Sequence, residues 1–233
     1  MPIASAPVSK LLLRNVRLFA GLPESQLELL ASVAQRRSFA KGDKIFAGGE
    51  HAMSLHLIVT GKVQVVFADK HGAEVILDIL NPGDYFGEMA LIDELPRSAT
   101  IVARESCEIL ILSKKDFLAC LQGNFELAMA LQRGLVKRLR GANSRIGSLA
   151  LLDVQGRVAK VLLEMAETVN GRKVARNLSQ QDIAKIIGAS REMVGRMLNH
   201  MQSRGQIKVE GATIVLNPPA PDSGHITDKI PGE

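Results

Sequence analysis

Tryptophan is missing from this chain, and tyrosine occurs once, at Tyr85. With so few aromatics, aliphatic side chains must fill the core. Cysteine is nearly missing too. Cys107 and Cys120 lack the partner spacing of a metal site, and an iron–sulfur cluster needs about four thiolates. The expected state is reduced, with no metal bound, in the cytoplasm. Long apolar runs are also lacking. The longest near the start, in SKLLLRNVRLF, is broken by arginines, is too short to span a membrane and has no signal-peptide pattern. There is no Walker loop, no HExxH and no nucleophile elbow, so no catalytic residue is expected and an enzyme is disfavoured. No internal repeat is visible.

What is present is unevenly charged. The chain has 233 residues, enough for one large or two modest domains, and a formal net charge of +5. Residues 154–217 hold ten Lys/Arg and five Asp/Glu, a net of +5. The part before them is close to neutral and the part after them is slightly acidic. A basic domain on a near-neutral one points to an anionic partner, nucleic acid first. A solvated basic face would have the same composition.

Pro23-Glu24-Ser25-Gln26 reads as a helix start before LELLASVA. From about Phe39 the period shortens. SLHLIVTG, KVQVVFAD, EVILDIL, ATIVA and CEILIL are β-rich runs, and Gly49, Gly61, Gly72 and Gly83 punctuate them every 11–12 residues. That is the spacing of a sandwich or barrel. After Gly123-Asn124 the period is helical again, with Leu127, Leu131, Leu135, Leu139, Ala142, Ile146 and Leu149 three or four apart. From Leu135 the steps are 4-3-4-3, a short heptad seam suited to a homodimer. The other reading is an amphipathic helix lying on its own β domain. Gly134, Gly141 and Gly147 weaken that helix but would let a partner helix approach closely.

Asp153-Val154-Gln155-Gly156 reads as a hinge, followed by a helix in GRVAKVLLEMAE and a polar turn at Val169-Asn170-Gly171. Ser179-Gln180-Gln181-Asp182 is a capping start for IAKIIG, and Gly188-Ala189-Ser190 a tight turn. REMVGRMLNHMQSRG is a second helix, with Met193, Met197, Leu198 and Met201 expected inside and Arg191, Glu192 and Arg196 outside. GQIKVEGATIVL reads as a hairpin turning near Gly211. Helix, turn, helix and hairpin make a winged helix-turn-helix. The expected boundaries are a β domain over 1–123, a dimerisation helix over 124–153, a DNA-binding domain over 154–217 and a disordered tail over 218–233.

The string GEMALIDELPRSAT, from Gly87 to Thr100, packs the parts of a phosphate pocket into fourteen residues. Gly87 lets backbone approach a ligand. A helical turn opening at Gly87 would offer free N–H groups to an anion. Arg97 offers a planar, permanently charged fork. Glu88 should repel a phosphate, but it suits a ligand that also presents a hydroxyl donor. An anion beside a hydroxyl describes a nucleotide. A buried Glu–Arg pair on a turn is the other reading.

This string closely resembles the phosphate-binding cassette of cyclic-nucleotide-binding domains, with Glu88 and Arg97 spaced as in cyclic-AMP-dependent kinase regulatory subunits. Together with LALLDVQGRVAKVLLEMA and LSQQDIAKIIGASREMVGRML, it makes residues 15 to 216 or so resemble the cyclic-AMP receptor protein and fumarate–nitrate regulator family of bacterial transcription factors. The resemblance implies an α+β fold: an N-terminal antiparallel β-roll, a long dimerisation helix and a C-terminal winged helix-turn-helix. It implies that Gly87, Met89, Ala90 and Ser98 line the pocket with Arg97 on the phosphate and Glu88 on the ribose. It places Ser190, Arg191, Glu192 and Arg196 at the double-stranded DNA of a two-fold TGTGA-like site, with Arg191 and Arg196 on guanine edges and Glu192 on a cytosine. Arginine suits guanine O6 and N7, and a carboxylate suits the cytosine amine. Ser179, Gln180 and Lys208 become contacts to the DNA backbone. A surface ion pair is the other reading of Glu192.

The chain departs from the cyclic-AMP-responsive branch on the long helix, where Ala142 and Asn143 replace an adenine-contacting Thr–Ser pair. Asn143 can donate and accept, so it is a candidate base contact. Arg133, Lys137, Arg138, Arg140 and Arg145 load that helix with charge, either as a solvated face or for a second phosphate. The expected effector is cyclic AMP, since the cassette is sized for one cyclic phosphate and one ribose; cyclic di-GMP is the alternative. A haem on His51, His56 or His71 and a ligand-independent repressor are the rival readings. RNA polymerase is a further possible partner, although the turn after Met165 is shorter than the polymerase-contacting loop of the best-studied relative.

Overall fold

The computed structural model describes residues 8–211 and 213–217. The tail expected to be disordered, 218–233, lies outside them. The chain divides into two compact units, Met1–Ala150 and Leu151–Glu233.

The first unit opens with α1 (Lys10–Arg14) and α2 (Glu24–Val33). Pro23 stands at the N-cap of α2, where its missing N–H costs nothing. Six strands follow: β1 (Gln35–Phe39), β2 (Lys44–Phe46), β3 (Ser54–Thr60), β4 (Val63–Ala68), β5 (Glu74–Leu80) and β6 (Tyr85–Phe86). The single turn α3 (Met89–Ile92) leads into β7 (Thr100–Ala103) and β8 (Cys107–Ser113), then α4 (Lys114–Gln122) and the long α5 (Phe125–Leu151). The strands form two four-stranded antiparallel sheets, ordered β1-β8-β3-β6 and β2-β7-β4-β5.

Strand alternation divides the apolar residues between two faces. Ile58, Val63, Leu80, Phe86, Ile101 and Ile109 pack between the sheets. Leu55, Leu57, Leu110 and Leu112 turn the other way and meet Leu13, Leu27, Phe117, Leu127 and Leu131 from the helices. The sheets begin earlier than the hydrophobic period suggests. β1 reads QRRSF, with three of its five residues exposed, and it is held by its register on β8 rather than by its own burial.

In the second unit α6 (Val154–Met165) is followed by β9 (Ala166–Val169), β10 (Arg172–Ala175), α7 (Gln180–Ile187), α8 (Arg191–Ser203), β11 (Ile207–Glu210) and β12 (Thr213–Leu216). The strands make one antiparallel sheet, β11-β12-β10-β9. Two expectations need correction. The stretch read as a hinge is mostly helix: Asp153 caps α6 by accepting the Gly156 N–H at 2.8 Å, so only Leu152 and Asp153 separate α5 from α6. The end of the stretch read as helix, Ala166-Glu167, is strand instead, and the expected polar turn at Val169-Asn170-Gly171 closes a hairpin. Asn170 (φ 50°) and Gly171 (φ 75°) are both left-handed, as a tight two-residue turn requires, and they bring β9 onto β10. On α8 the core face carries Val194, Leu198 and Met201, whereas Met193 and Met197 are half-buried. Among the described residues no helix is long and apolar enough to cross a membrane.

Candidate functional site

β6 ends in one sheet of the first unit and β7 begins in the other, so residues 87–99 cross between the sheets. Gly87 makes the entry turn at φ 86°, and a Cβ there would run into the Arg97 guanidinium. α3 opens at Met89, two residues later than expected, with Glu88 at its N-cap. Its first internal bond runs from the Leu91 N–H to the Glu88 carbonyl at 3.0 Å, so the Met89 and Ala90 amides precede the ladder. Glu88 is 0% exposed, Ala90 is buried, and Met89 and Ser98 are exposed.

Arg97 is only 6% exposed. Its Nη1 donates to the Gly87 carbonyl at 2.7 Å and its Nη2 to the Ser54 carbonyl at 2.8 Å. The guanidinium lies 4.1 Å above the Phe46 ring, a cation–π contact. Burial lowers its pKa, and the charges of Glu50 and Glu88 oppose that shift. Its Nε is buried and has no partner. Below it His56 stacks on Phe86, with centroids 5.0 Å apart and planes 10° apart, and tilts against Phe46. Burial first, and the Arg97 cation second, push the His56 pKa down to about 3, so the ring is neutral. This histidine is enclosed by aromatic rings. Among the described residues no three His, Cys, Asp or Glu converge on a metal position.

α5 closes one side of the cassette. Leu127, Leu131, Gly134, Arg138 and Arg145 share a stripe that faces the chain's own sheets. Leu127 and Leu131 are in the core. Arg138 donates from Nη1 to Glu88 Oε1 and from Nη2 to the Tyr85 carbonyl, and it lies 4.9 Å over the Tyr85 ring. Arg145 reaches Asp78 on β5 at 3.1 Å. These two arginines therefore do not belong to a solvated face. Glu88 does form a buried pair, but with Arg138 rather than Arg97, and its Oε2 has no partner. Gly134 also serves its own chain, since a Cβ there would overlap the Tyr85 hydroxyl. Burial raises the Tyr85 pKa to about 12.

The rest of α5 is uncovered. Leu139, Ile146 and Leu149 are 62%, 63% and 56% exposed. The reading of a helix lying on its own β domain thus holds for the stripe of Leu127, Leu131 and Arg138, and the heptad residues Leu139, Ile146 and Leu149 lie off that stripe. Asn143 is exposed and about 140° round the helix from Arg138, so the structure does not bring it to its own chain's cassette.

In the second unit, Ser179 and Asp182 form a reciprocal capping box. The Ser179 hydroxyl is engaged there, accepting from the Asp182 N–H at 3.1 Å and bonding the Asp182 carboxylate at 2.8 Å. α7 ends at Gly188, left-handed at φ 63°. Ser190 caps α8, accepting the Met193 N–H at 3.2 Å. Gly195 gives room to the Gln180 carboxamide, whose Oε1 would be 3.2 Å from a Cβ there. Arg191, Glu192 and Arg196 are exposed together on α8. Bonds from its own backbone N–H and from the Ser190 hydroxyl lower the Glu192 pKa, aided by Arg191 and Arg196, so an ionised acceptor faces outward. Lys208 on β11 pairs with Glu210 at 2.7 Å, both exposed.

Sequence reasoning did not single out Phe46, Ser54, His56 or Asp78 for this site. Nothing local marks them, because they join it through strand pairing. Arg138 and Arg145 carried a usable signal: they continue the Leu127–Leu131 stripe at intervals of seven.

Residues 36–124 match the family described as cyclic nucleotide-binding domain, and residues 156–220 match the Crp-like helix-turn-helix domain. The cAMP-activated global transcriptional regulator Vfr of Pseudomonas aeruginosa is 36% identical over 199 residues, covering 81% of this chain and 92% of Vfr. The cAMP-activated global transcriptional regulator CRP of Salmonella typhimurium is 35% identical over 205 residues, covering 84% and 97%. Among solved structures, the c-di-GMP-responsive global regulator CLP of Xanthomonas campestris superposes with a TM-score of 0.74 at 25% identity, covering 84% of this chain and 100% of CLP. A cyclic-nucleotide-binding β domain, a long helix and a C-terminal helix-turn-helix, at this level of identity over most of the chain, make it a member of the cyclic-AMP receptor protein and fumarate–nitrate regulator family, a cyclic-nucleotide-responsive DNA-binding transcription regulator and not an enzyme.

Proposed function

We propose that a nucleotide with a cyclic phosphate and a free ribose hydroxyl binds between Arg97 and Glu88 and switches a cytoplasmic homodimer between weak and strong DNA binding. The observation that carries this is a pair of buried, unpartnered atoms: Arg97 Nε, a charged donor, and Glu88 Oε2, an acceptor. Such groups are costly to bury unless something completes them. An anion completes the first and a hydroxyl the second. Gly87, Met89, Ala90 and Ser98 frame the phosphate beside them. The cassette is sized for one cyclic phosphate and one ribose; cyclic AMP is named for Vfr and CRP, and cyclic di-GMP for CLP. Neither contact touches the base.

The exposed stripe of Leu139, Ile146 and Leu149 supports pairing of two α5 helices, and residues 154–217 supply the DNA-binding part of each chain. A base contact from Asn143 would then reach the partner's pocket. Arg191 and Arg196 read guanines and Glu192 a cytosine, while Ser179, Gln180, Ser190 and Lys208 set the register on the backbone of a TGTGA-like site. Through Arg138 the cassette holds α5, so a ligand on Glu88 acts on the helix that links the two halves. The ligand must bind the DNA-competent state better than the other, or it shifts nothing. Calorimetric titration with cyclic AMP, cyclic GMP and cyclic di-GMP tests the reading. No binding of any of them, with DNA affinity unchanged by Arg97→Ala, would make this a ligand-independent repressor.

A further inference from the structure

We infer that Asp78 and Arg145 read the base of the effector and select guanine. The inference rests on Arg97 and Glu88 as the phosphate and ribose contacts, and it replaces adenine as the expected base.

Asp78 is an unusual occupant of its position. It pairs across to Val65, and two residues on Leu80 pairs across to Val63. Cross-strand partners share a face. Val63, Val65 and Leu80 all belong to the apolar packing between the sheets, so Asp78 is a carboxylate on the inner face of the roll. The register shift at this point leaves Leu77 as an extra residue in β5, a bulge that can re-aim the side chain beside it. Asp78 is 45% and Arg145 39% exposed, so the pair lies at the open rim rather than in the core.

The pair also has capacity to spare. Oδ1 of Asp78 accepts from the Ile79 N–H at 2.9 Å and from Arg145 at 3.1 Å, and Oδ2 takes part in neither bond. Arg145 reaches Asp78 through Nη2 alone, so most of its fork remains available.

Its place is right for a base. Arg138 and Arg145 are seven residues apart on one stripe of α5, two turns or about 10 Å. Arg138 marks the ribose end by its bond to Glu88, and Arg145 marks the other end by its bond to Asp78. A nucleoside laid along the helix, with its hydroxyl on Glu88, presents its base edge to the second pair.

The chemistry then chooses between the purines. On its Watson–Crick edge guanine offers the O6 acceptor beside two donors, N1–H and the N2 amine. A guanidinium takes the first and a carboxylate takes both of the others. Adenine offers one donor and one acceptor there, which leaves one carboxylate position unfilled. A site built to hydrogen-bond a group discriminates strongly against a ligand that lacks it.

The test is calorimetry on the full chain with cyclic AMP, cyclic GMP and cyclic di-GMP, each titrated separately so that the two guanine ligands are told apart. The wild type should bind a guanine ligand more tightly than cyclic AMP. Asp78→Ser and Arg145→Ala should each reduce that guanine-to-adenine ratio about fivefold or more, the order expected for a lost specific base contact. Arg97→Lys should weaken all ligands and leave the ratio alone. A clamp that merely fastens α5 to β5 would move affinity without moving the ratio. Wild-type preference for cyclic AMP, or a smaller change of ratio in both variants, overturns the inference while leaving the ribose–phosphate reading in place. No nucleotide binding by the wild type overturns both.

Discussion

Replacing Arg97 by alanine separates its structural role from its binding role. Arg97 is 6% exposed, and its guanidinium makes two bonds to backbone carbonyls, at 2.7 and 2.8 Å. Each charge-assisted bond is worth about 1.5–3 kcal/mol. Against that stands the desolvation of an arginine that makes no carboxylate bond in the pocket, several kcal/mol for a buried ion. The two contributions nearly cancel, so Arg97→Ala should change ligand-free stability by only about 1 kcal/mol. With ligand the balance is different. The phosphate loses its charged partner, at about 2–5 kcal/mol for a buried pair, which is roughly a 30- to 4,000-fold loss of affinity. The assay is thermal unfolding with and without saturating nucleotide, beside calorimetric titration. The expected signature is a nearly unchanged Tm without ligand and loss of the ligand-induced rise. A variant that still binds within about threefold of wild type would remove Arg97 from the phosphate site.

Leu139→Glu combined with Ile146→Glu should convert dimers to monomers in sedimentation and abolish specific DNA binding; a double variant that stays dimeric would move the interface off this stripe. Arg191→Ala or Arg196→Ala should cost roughly 1–3 kcal/mol per half-site and relax one base pair in a binding-site selection, whereas Lys208→Ala should weaken all sequences alike and flatten the salt dependence. The His56 pKa falls from 6.5 unfolded to about 3 folded, so the unfolded chain binds the extra proton. Stability should therefore fall as pH drops below 6.5, by up to about 1.4 kcal/mol per unit. His56→Phe, which keeps the ring stack, should flatten that slope in urea titrations, and an unchanged slope would assign it elsewhere. Gly141→Ala should stabilise α5 by about 1 kcal/mol, having nothing within 4 Å. Gly134→Ala should instead destabilise it by about 1–3 kcal/mol, because the new Cβ meets the Tyr85 hydroxyl; equal Tm shifts would refute the contact.

Much of the architecture was legible along the chain because it rests on local rules. The capping box of Ser179 and Asp182, the left-handed Gly188, the entry turn at Gly87 and the β-rich runs of β3, β4, β5 and β8 are each set within a few residues. β1 and β6 were not legible, since one is mostly exposed and the other has two residues; both exist only as partners in a sheet. The hairpin of β9 and β10 was hidden by a helical pattern that runs past Met165, although Asn170-Gly171 marks its turn.

The sequence by itself determined which chemical groups the crossing segment carries: Glu88 and Arg97 stand nine residues apart on it, a carboxylate that accepts and a guanidinium that donates. It also determined that α8 presents Arg191, Glu192 and Arg196 outward, because helical periodicity places them off the face of Val194, Leu198 and Met201. Only the tertiary structure decided how those groups are wired. It paired Glu88 with Arg138, set Arg97 on Phe46 and on the Ser54 carbonyl, and put Asp78 under Arg145. The partners lie 50, 51, 43 and 67 residues apart in the chain. Contacts at such separations are fixed by strand register and helix packing, which no local propensity encodes.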